Sequence, residues 1–154
     1  MEFPDGKYIG QVVNGLAEGK GIWYGTKELY VGDRYEGDWR NNKEEGKGIY
    51  YWNNGSKYEG DWRNGKREGK GIYYYNNGNR YEGDWKNNEK EGKGIFYYNT
   101  GDRYEGDWKN DKMEGKGIFY YNNDDRQMGD YSCGKFIGKH VMLTKNGEVK
   151  VNNY

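Results

Sequence analysis

The sequence predicts an all-β protein: a single antiparallel sheet of tandem β-hairpins, elongated and twisted. Three observations carry this. A block of 23 residues recurs, with YEGDW beginning at Tyr35, Tyr58, Tyr81 and Tyr104. Within each block, rings and glycines alternate with charged residues at period two, the signature of a half-buried strand. An Asn-Asn-Gly signal then closes the hairpin, at Asn53 and Asn76, with Asn-Thr-Gly at Asn99. Helix is disfavoured, because each short strand carries two or three glycines and no 3.6-residue stripe exists.

In chain order, the first unit (8–34) is a worn copy, YIGQVVNGLAEGKGIWY from Tyr8, with four extra residues between Gly21 and Tyr35. Four near-identical units follow at 35–57, 58–80, 81–103 and 104–126. A degenerate C-terminal cap, 127–154, begins QMGDYSCGKFIGKHVML. Atypical end units suit a stacked array, whose last faces meet water.

Inside a unit, Tyr35, Gly37 and Trp39 point one way and Glu36 and Asp38 the other. A polar connection runs from Arg40 to Glu45. Gly46, Gly48, Tyr50 and Trp52 then alternate against Lys47, Ile49 and Tyr51. The loop Asn53-Asn54-Gly55 is read as a type I turn followed by a left-handed glycine. The expected register sets Trp39 opposite Gly46, Gly37 opposite Gly48 and Tyr35 opposite Tyr50. Across the loop it sets Tyr50 opposite Tyr58 and Trp52 opposite Ser56. One face then carries a row of rings, a row of glycines and a row alternating tryptophan with glycine, so that each indole lies over bare backbone. The other carries Asp38, Lys47, Asp61, Lys70, Asp84, Lys93, Asp107 and Lys116 as a ladder of alternating sign.

Composition sets limits on function. The mean hydropathy is −1.40, yet 18% of residues are aromatic and 27 are glycine. The core is therefore thin and built of rings. Twenty-five basic residues balance 25 acidic ones, which argues against nucleic acid as a partner. One cysteine, Cys133, allows no internal disulfide and fits a reducing compartment. The N-terminal MEFPDGKYIG has neither the charge nor the apolar run of a signal peptide, and no stretch is long enough to span a bilayer. The expected location is cytoplasmic, with association to a membrane or the cytoskeleton.

Units of the form YEGDW, then five residues, then EGKGIYYYNNG strongly resemble the MORN (membrane occupation and recognition nexus) repeat, from about Tyr8 to Leu143. The resemblance implies an elongated sheet of hairpins and a scaffolding role that attaches partners to membranes or cytoskeleton. In some members it implies contact with acidic phospholipids. The departures are Val12 and Tyr131 at tryptophan positions, Gln127 for the leading tyrosine and His140 for a glycine. All of them lie in the end units. The choline-binding repeat is also short, aromatic and glycine-rich, but it lacks the Gly-Lys-Gly element at this spacing.

No residue constellation points to catalysis. Acid pairs such as Glu59 and Asp61 recur identically in four copies, whereas catalysis needs groups that differ from their surroundings. His140 is the only histidine, and neither it nor Cys133 has an evident partner. Too few cysteines and histidines exist for a zinc site, and no cofactor is expected. GKREGKG at Gly65–Gly71 lacks the Ser or Thr of a phosphate loop and precedes a strand. Binding remains. The primary expectation is a non-enzymatic scaffold that takes a helix or extended segment of a partner protein on its aromatic face, through Tyr35, Trp39, Tyr58, Trp62, Tyr81, Trp85, Tyr104 and Trp108. The alternative is a peripheral module that meets acidic phospholipids through Arg34, Lys57, Arg80, Arg103 and Arg126, a basic stripe interleaved with Tyr51, Tyr74, Tyr97 and Tyr120. Exposed edge strands also leave a homodimer open.

Overall fold

The computed structural model describes residues 1–154, the Glu28 side chain excepted. Thirteen strands lie in chain order in one sheet. They are β1 (Gly6–Val13), β2 (Leu16–Gly25), β3 (Arg34–Arg40), β4 (Lys43–Tyr51), β5 (Lys57–Arg63), β6 (Lys66–Tyr74), β7 (Arg80–Lys86), β8 (Glu89–Tyr97), β9 (Arg103–Lys109), β10 (Lys112–Tyr120), β11 (Arg126–Ser132), β12 (Lys135–Leu143) and β13 (Val149–Asn153). The insertion in the first repeat forms a 3-10 turn, Glu28–Tyr30. Contacts gather the chain into two compact units, Met1–Asn76 with Lys86–Asn88, and Asn77–Trp85 with Glu89–Tyr154.

Most of the expected register is present. Tyr35 faces Tyr50, Gly37 faces Gly48 and Tyr50 faces Tyr58. The Asn-Asn-Gly loop is as read: Trp52 N–H donates to Ser56 O at 3.0 Å, Gly55 N–H donates to Trp52 O at 3.0 Å, and Gly55 has φ +87°. The Trp39–Gly46 pairing is not formed. A bulge after Gly37 sets Asp38 opposite Glu45 and Trp39 opposite Glu44. Gly46 and Lys47 are two extra residues on β4 between Glu45 and Gly48, and Gly46, at φ +63°, takes a conformation that only glycine adopts cheaply. Trp39, Trp62 and Trp108 instead face a glycine of the preceding hairpin, opposite Gly19, Gly46 and Gly92.

The charge ladder is corrected in the same way. Lys20–Asp38, Lys47–Asp61, Lys93–Asp107 and Lys116–Asp130 pair between successive hairpins. Inside a hairpin the bulge turns the aspartate to a different task. Asp38 accepts the Lys47 backbone N–H at 3.0 Å, and Asp107 that of Lys116 at 3.1 Å.

The polar connection proves to be a two-residue turn with both central residues left-handed, Asn41 (φ +49°) and Asn42 (φ +64°), or Asn64 (φ +50°) and Gly65 (φ +78°). That is the type I′ turn that matches strand twist, and asparagine tolerates it. Each turn clasps the hairpin before it. Glu18 accepts Asn41 N–H at 2.9 Å, Glu45 accepts Asn64 N–H at 3.0 Å and Glu114 accepts Cys133 N–H at 2.9 Å. The invariant glutamate of EGKGI thus satisfies a turn donor that would otherwise have no partner in the protein.

The core sits on one face and is one side chain deep. In the first unit Tyr8, Trp23, Tyr35, Trp39, Tyr58 and Trp62 are buried; in the second Tyr81, Trp85, Tyr104, Trp108, Tyr131 and His140 are. Each repeat tyrosine lies down over the facing glycines, and its hydroxyl donates to the carbonyl three residues on. Tyr35 reaches Asp38 O at 3.1 Å, Tyr58 reaches Asp61 O at 3.0 Å and Tyr104 reaches Asp107 O at 3.1 Å. A Cβ on Gly48 would fall inside the Tyr35 ring, which is why this row tolerates no side chain.

The end hairpins reach the same packing by other means. Phe3 lies on Tyr8 and Trp39, supplying the ring that Val12 lacks. In the last hairpin the ring comes from the opposite strand. His140, at a glycine position, covers Gly129, and its Nε2 lies 2.8 Å from Asp130 O, the bond that a tyrosine makes elsewhere. Gln127, at the tyrosine position, leaves room for it.

Candidate functional site

The eight rings expected to meet a partner form the floor of the aromatic face. Tyr35, Tyr58, Tyr81 and Tyr104 are 0% exposed, and Trp39, Trp62, Trp85 and Trp108 are 4–7% exposed. They interlock edge to face. Tyr35 stands between Trp39 at 5.2 Å (88°) and Trp62 at 5.2 Å (82°), and Tyr81 between Trp85 at 5.2 Å and Trp108 at 5.1 Å. Indole N–H groups tie the floor to the backbone, from Trp62 to Gly48 O at 3.2 Å and from Trp108 to Gly94 O at 3.1 Å. Burial pushes the Tyr35, Tyr58 and Tyr104 phenols far above their ordinary values. They stay protonated donors at neutral pH.

A second row of rings stands beside this floor and is half-buried. In the first unit it runs Tyr50–Trp52 (4.6 Å), Trp52–Tyr73 (5.0 Å) and Tyr73–Tyr75 (4.5 Å). In the second it runs Phe96–Tyr98 (4.7 Å), Tyr98–Phe119 (5.6 Å) and Phe119–Tyr121 (4.8 Å). The alternation in the sequence places Trp52 beside Tyr50 on this face; Tyr75, Tyr98 and Tyr121, each one residue past the end of its strand, were not named there.

A lane of non-repeating residues, missed in the connection, shares the same face. It consists of Glu44 and Arg67 in the first unit and Lys90, Met113 and Phe136 in the second. Glu44 faces Trp39, Arg67 faces Trp62, Met113 faces Trp108 and Phe136 faces Tyr131. Arg67 lies over Tyr58 and Tyr73 (5.7 and 5.4 Å) and donates to Asn88 O at 2.6 Å. Lys90 is buried, its ammonium 4.8 Å from the Trp108 ring. Burial raises the Glu44 carboxyl above its ordinary value. Between β10 and β12 the second unit opens a cleft of about 540 Å³, walled by Met113, Phe119, Tyr121, Tyr131, Phe136 and Tyr154.

The basic stripe lies on the opposite face and is already engaged. Arg34, Lys57, Arg80 and Arg103 sit over Tyr51, Tyr74, Tyr97 and Tyr120 at 4.3, 4.4, 4.2 and 3.8 Å. The first three also pair with Glu36, Glu59 and Glu82 at 3.5, 3.3 and 3.8 Å. Arg126 is exposed. Of the acid pair weighed for catalysis, Glu59 holds Lys57 while Asp61 holds Lys47 and the Lys70 N–H. Cys133 is an exposed thiol at a left-handed turn position, φ +51°. Among the described residues, no cluster of three metal-binding side chains occurs and no helix is long and apolar enough to cross a membrane.

Compared with family models, the chain matches the MORN repeat over residues 8–27, 35–57, 58–80, 81–103 and 104–126. No curated protein matches it. Among the solved structures that share its fold are two TCP domains. The TCP10 domain of Danio rerio CPAP, in complex with a peptide of Danio rerio STIL, has a TM-score of 0.56 and 10% identity, over 87% of this chain and 58% of that one. This chain therefore spans less than two thirds of that domain's length. The SAS-4 (dCPAP) TCP domain of Drosophila melanogaster, in complex with a Proline Rich Motif of Ana2 (dSTIL), has a TM-score of 0.54 and 14% identity, over 97% of this chain and 90% of that one.

Proposed function

Because this chain belongs to the MORN repeat family, we propose that it is a non-catalytic binding module that holds an extended segment of a partner protein on its aromatic face. The observation that carries this is the half-buried ring row, Tyr50–Trp52–Tyr73–Tyr75 in one unit and Phe96–Tyr98–Phe119–Tyr121 in the other. The floor rings are consumed by packing, whereas these keep one side toward water. A continuous aromatic strip of this kind fits an extended or polyproline segment, which arrives with little entropy to lose. Two solved domains of similar fold holding peptides, one of them a proline-rich motif, support the reading. Attachment of that partner at a membrane or cytoskeletal structure follows from the family resemblance and stands as part of the proposal.

The test is fluorescence anisotropy with a labelled proline-rich peptide. Trp52→Ala combined with Tyr73→Ala removes two half-buried rings of the first unit, and Tyr98→Ala combined with Phe119→Ala does so in the second. Loss of an anchoring ring costs roughly 2 kcal/mol or more, about 30-fold in affinity. Unchanged affinity in both folded double variants overturns the proposal.

A second reading, contact with acidic headgroups through Arg34, Lys57, Arg80 and Arg103, draws on the regular spacing of these cations over tyrosines. Their glutamate neighbours offset the field that such a surface needs. Co-sedimentation with phosphoinositide-bearing liposomes decides it. Binding lost in Arg80→Glu/Arg103→Glu supports lipid contact, and no binding by the unaltered chain ends it.

A further inference from the structure

The cleft of the second unit breaks the repeat in a chemically specific way. Elsewhere the indole N–H finds a glycine carbonyl, as Trp108 finds Gly94 O. Tyr131 takes the equivalent register place, opposite Gly115 as Trp108 is opposite Gly92. Its phenol is 2% exposed, and its hydroxyl has no hydrogen-bond partner among the described residues. Leaving a buried hydroxyl unpaired is costly, so native proteins seldom keep one without a use. The cleft of about 540 Å³ that Tyr131 lines falls within the range of about 300–1,000 Å³ typical of ligand pockets. Its walls are apolar because Met113 and Phe136 stand at the lane positions that are charged in the three preceding hairpins. Among the described residues, Lys135 is the one Lys, Arg, Asp or Glu that lines it.

We propose that this cleft receives a large aromatic or aliphatic side chain of the partner segment, that the Tyr131 ring turns to bring its buried hydroxyl to a polar atom of that segment, and that an adjacent carboxylate meets Lys135. The proposal rests on the aromatic face being partner-binding, and it names the feature of the partner that the module selects: an apolar anchor beside an acidic residue. A burial site of one sign of charge discriminates against a basic neighbour as well as attracting an acidic one.

The experiment uses the full chain with methyl-labelled methionine and three synthetic peptides in a Gly/Ser background: tryptophan flanked by glutamates, the same with lysines, and the same with alanine for tryptophan. The acidic tryptophan peptide shifts the Met113 methyl signal and binds at least tenfold more tightly than the other two. Tyr131→Phe weakens it about five- to tenfold, the loss of one buried hydrogen bond. Lys135→Glu reverses the preference between acidic and basic peptides. Tyr131→Trp fills the cleft with the ring found in the other repeats, and abolishes the Met113 shift without lowering the urea midpoint. An unmoved Met113 methyl, or equal affinity for Tyr131→Trp, overturns the cleft. If such binding is still weakened by Tyr98→Ala/Phe119→Ala, the broader reading survives that failure. If none of the peptides binds and the ring-row variants change nothing with the proline-rich probe, both fall.

Discussion

Gly48 shows how tightly single positions are constrained. Its missing Cβ is the space that the Tyr35 ring occupies. Gly48→Ala therefore destabilises by about 1–3 kcal/mol through overpacking, read as a lowered urea midpoint. Cys133 is the opposite case, an ordinary residue in a left-handed conformation that asparagine holds in the other turns. Cys133→Asn raises stability by a few tenths to about 1 kcal/mol, and a melting curve checks it. Glu44 carries a charge that burial opposes, so its native pKa lies above the unfolded value of about 4.5. The native state then holds the proton more tightly, and stability falls as pH rises through the native value. Glu44→Gln accordingly raises the urea midpoint at pH 7 and changes nothing below about pH 4. Of these residues, glycine and tyrosine were legible from spacing alone. Glu44 was not, because alternation broke at the bulge and left it in a supposed connection.

Hairpins show where sequence reasoning stopped short and why. Period two requires one residue opposite one residue, and nothing in it announces that Gly46 and Lys47 are two extra residues on β4. The available signal was the turn. Asn41-Asn42 and Asn64-Gly65 fit a two-residue left-handed turn, which sets Arg40 opposite Lys43 and leaves a two-residue surplus before Gly48. The last hairpin carries a paired exchange, with Gln127 for tyrosine and His140 for glycine, and the two are legible only together. His140→Gly alone empties the site over Gly129 and costs about 2–4 kcal/mol. Gln127→Tyr alone drives a second ring into the space His140 fills. The double variant restores the repeat arrangement and recovers most of the loss, giving a coupling energy above about 1 kcal/mol in a double-mutant cycle. Simple additivity would show that the two side chains do not share the site.

Across the whole chain, stability is a sum over similar hairpins and their joints. Excising residues 58–80 joins Lys57 to Tyr81 in the same phase, so the shortened chain folds with a urea m value smaller by roughly one sixth; a chain that no longer unfolds cooperatively contradicts this. The inter-hairpin ion pairs add little in salt solution, since the lysines are well exposed. Their acids matter at low pH. The Lys93 ammonium and the Lys116 N–H hold Asp107 below the ordinary carboxylate value. Its contribution is present above about pH 4 and is lost as pH falls below that, and Asp107→Asn removes this portion of the acid transition. The indole bonds add a direction to the assembly. Trp39 reaches back to Gly21 and Trp62 to Gly48, so each of these tryptophans roofs the hairpin before its own, like overlapping shingles. Damage to one shingle uncovers the course laid before it: Trp62→Ala speeds amide exchange in β3 and β4 and spares the mutated hairpin's own loop.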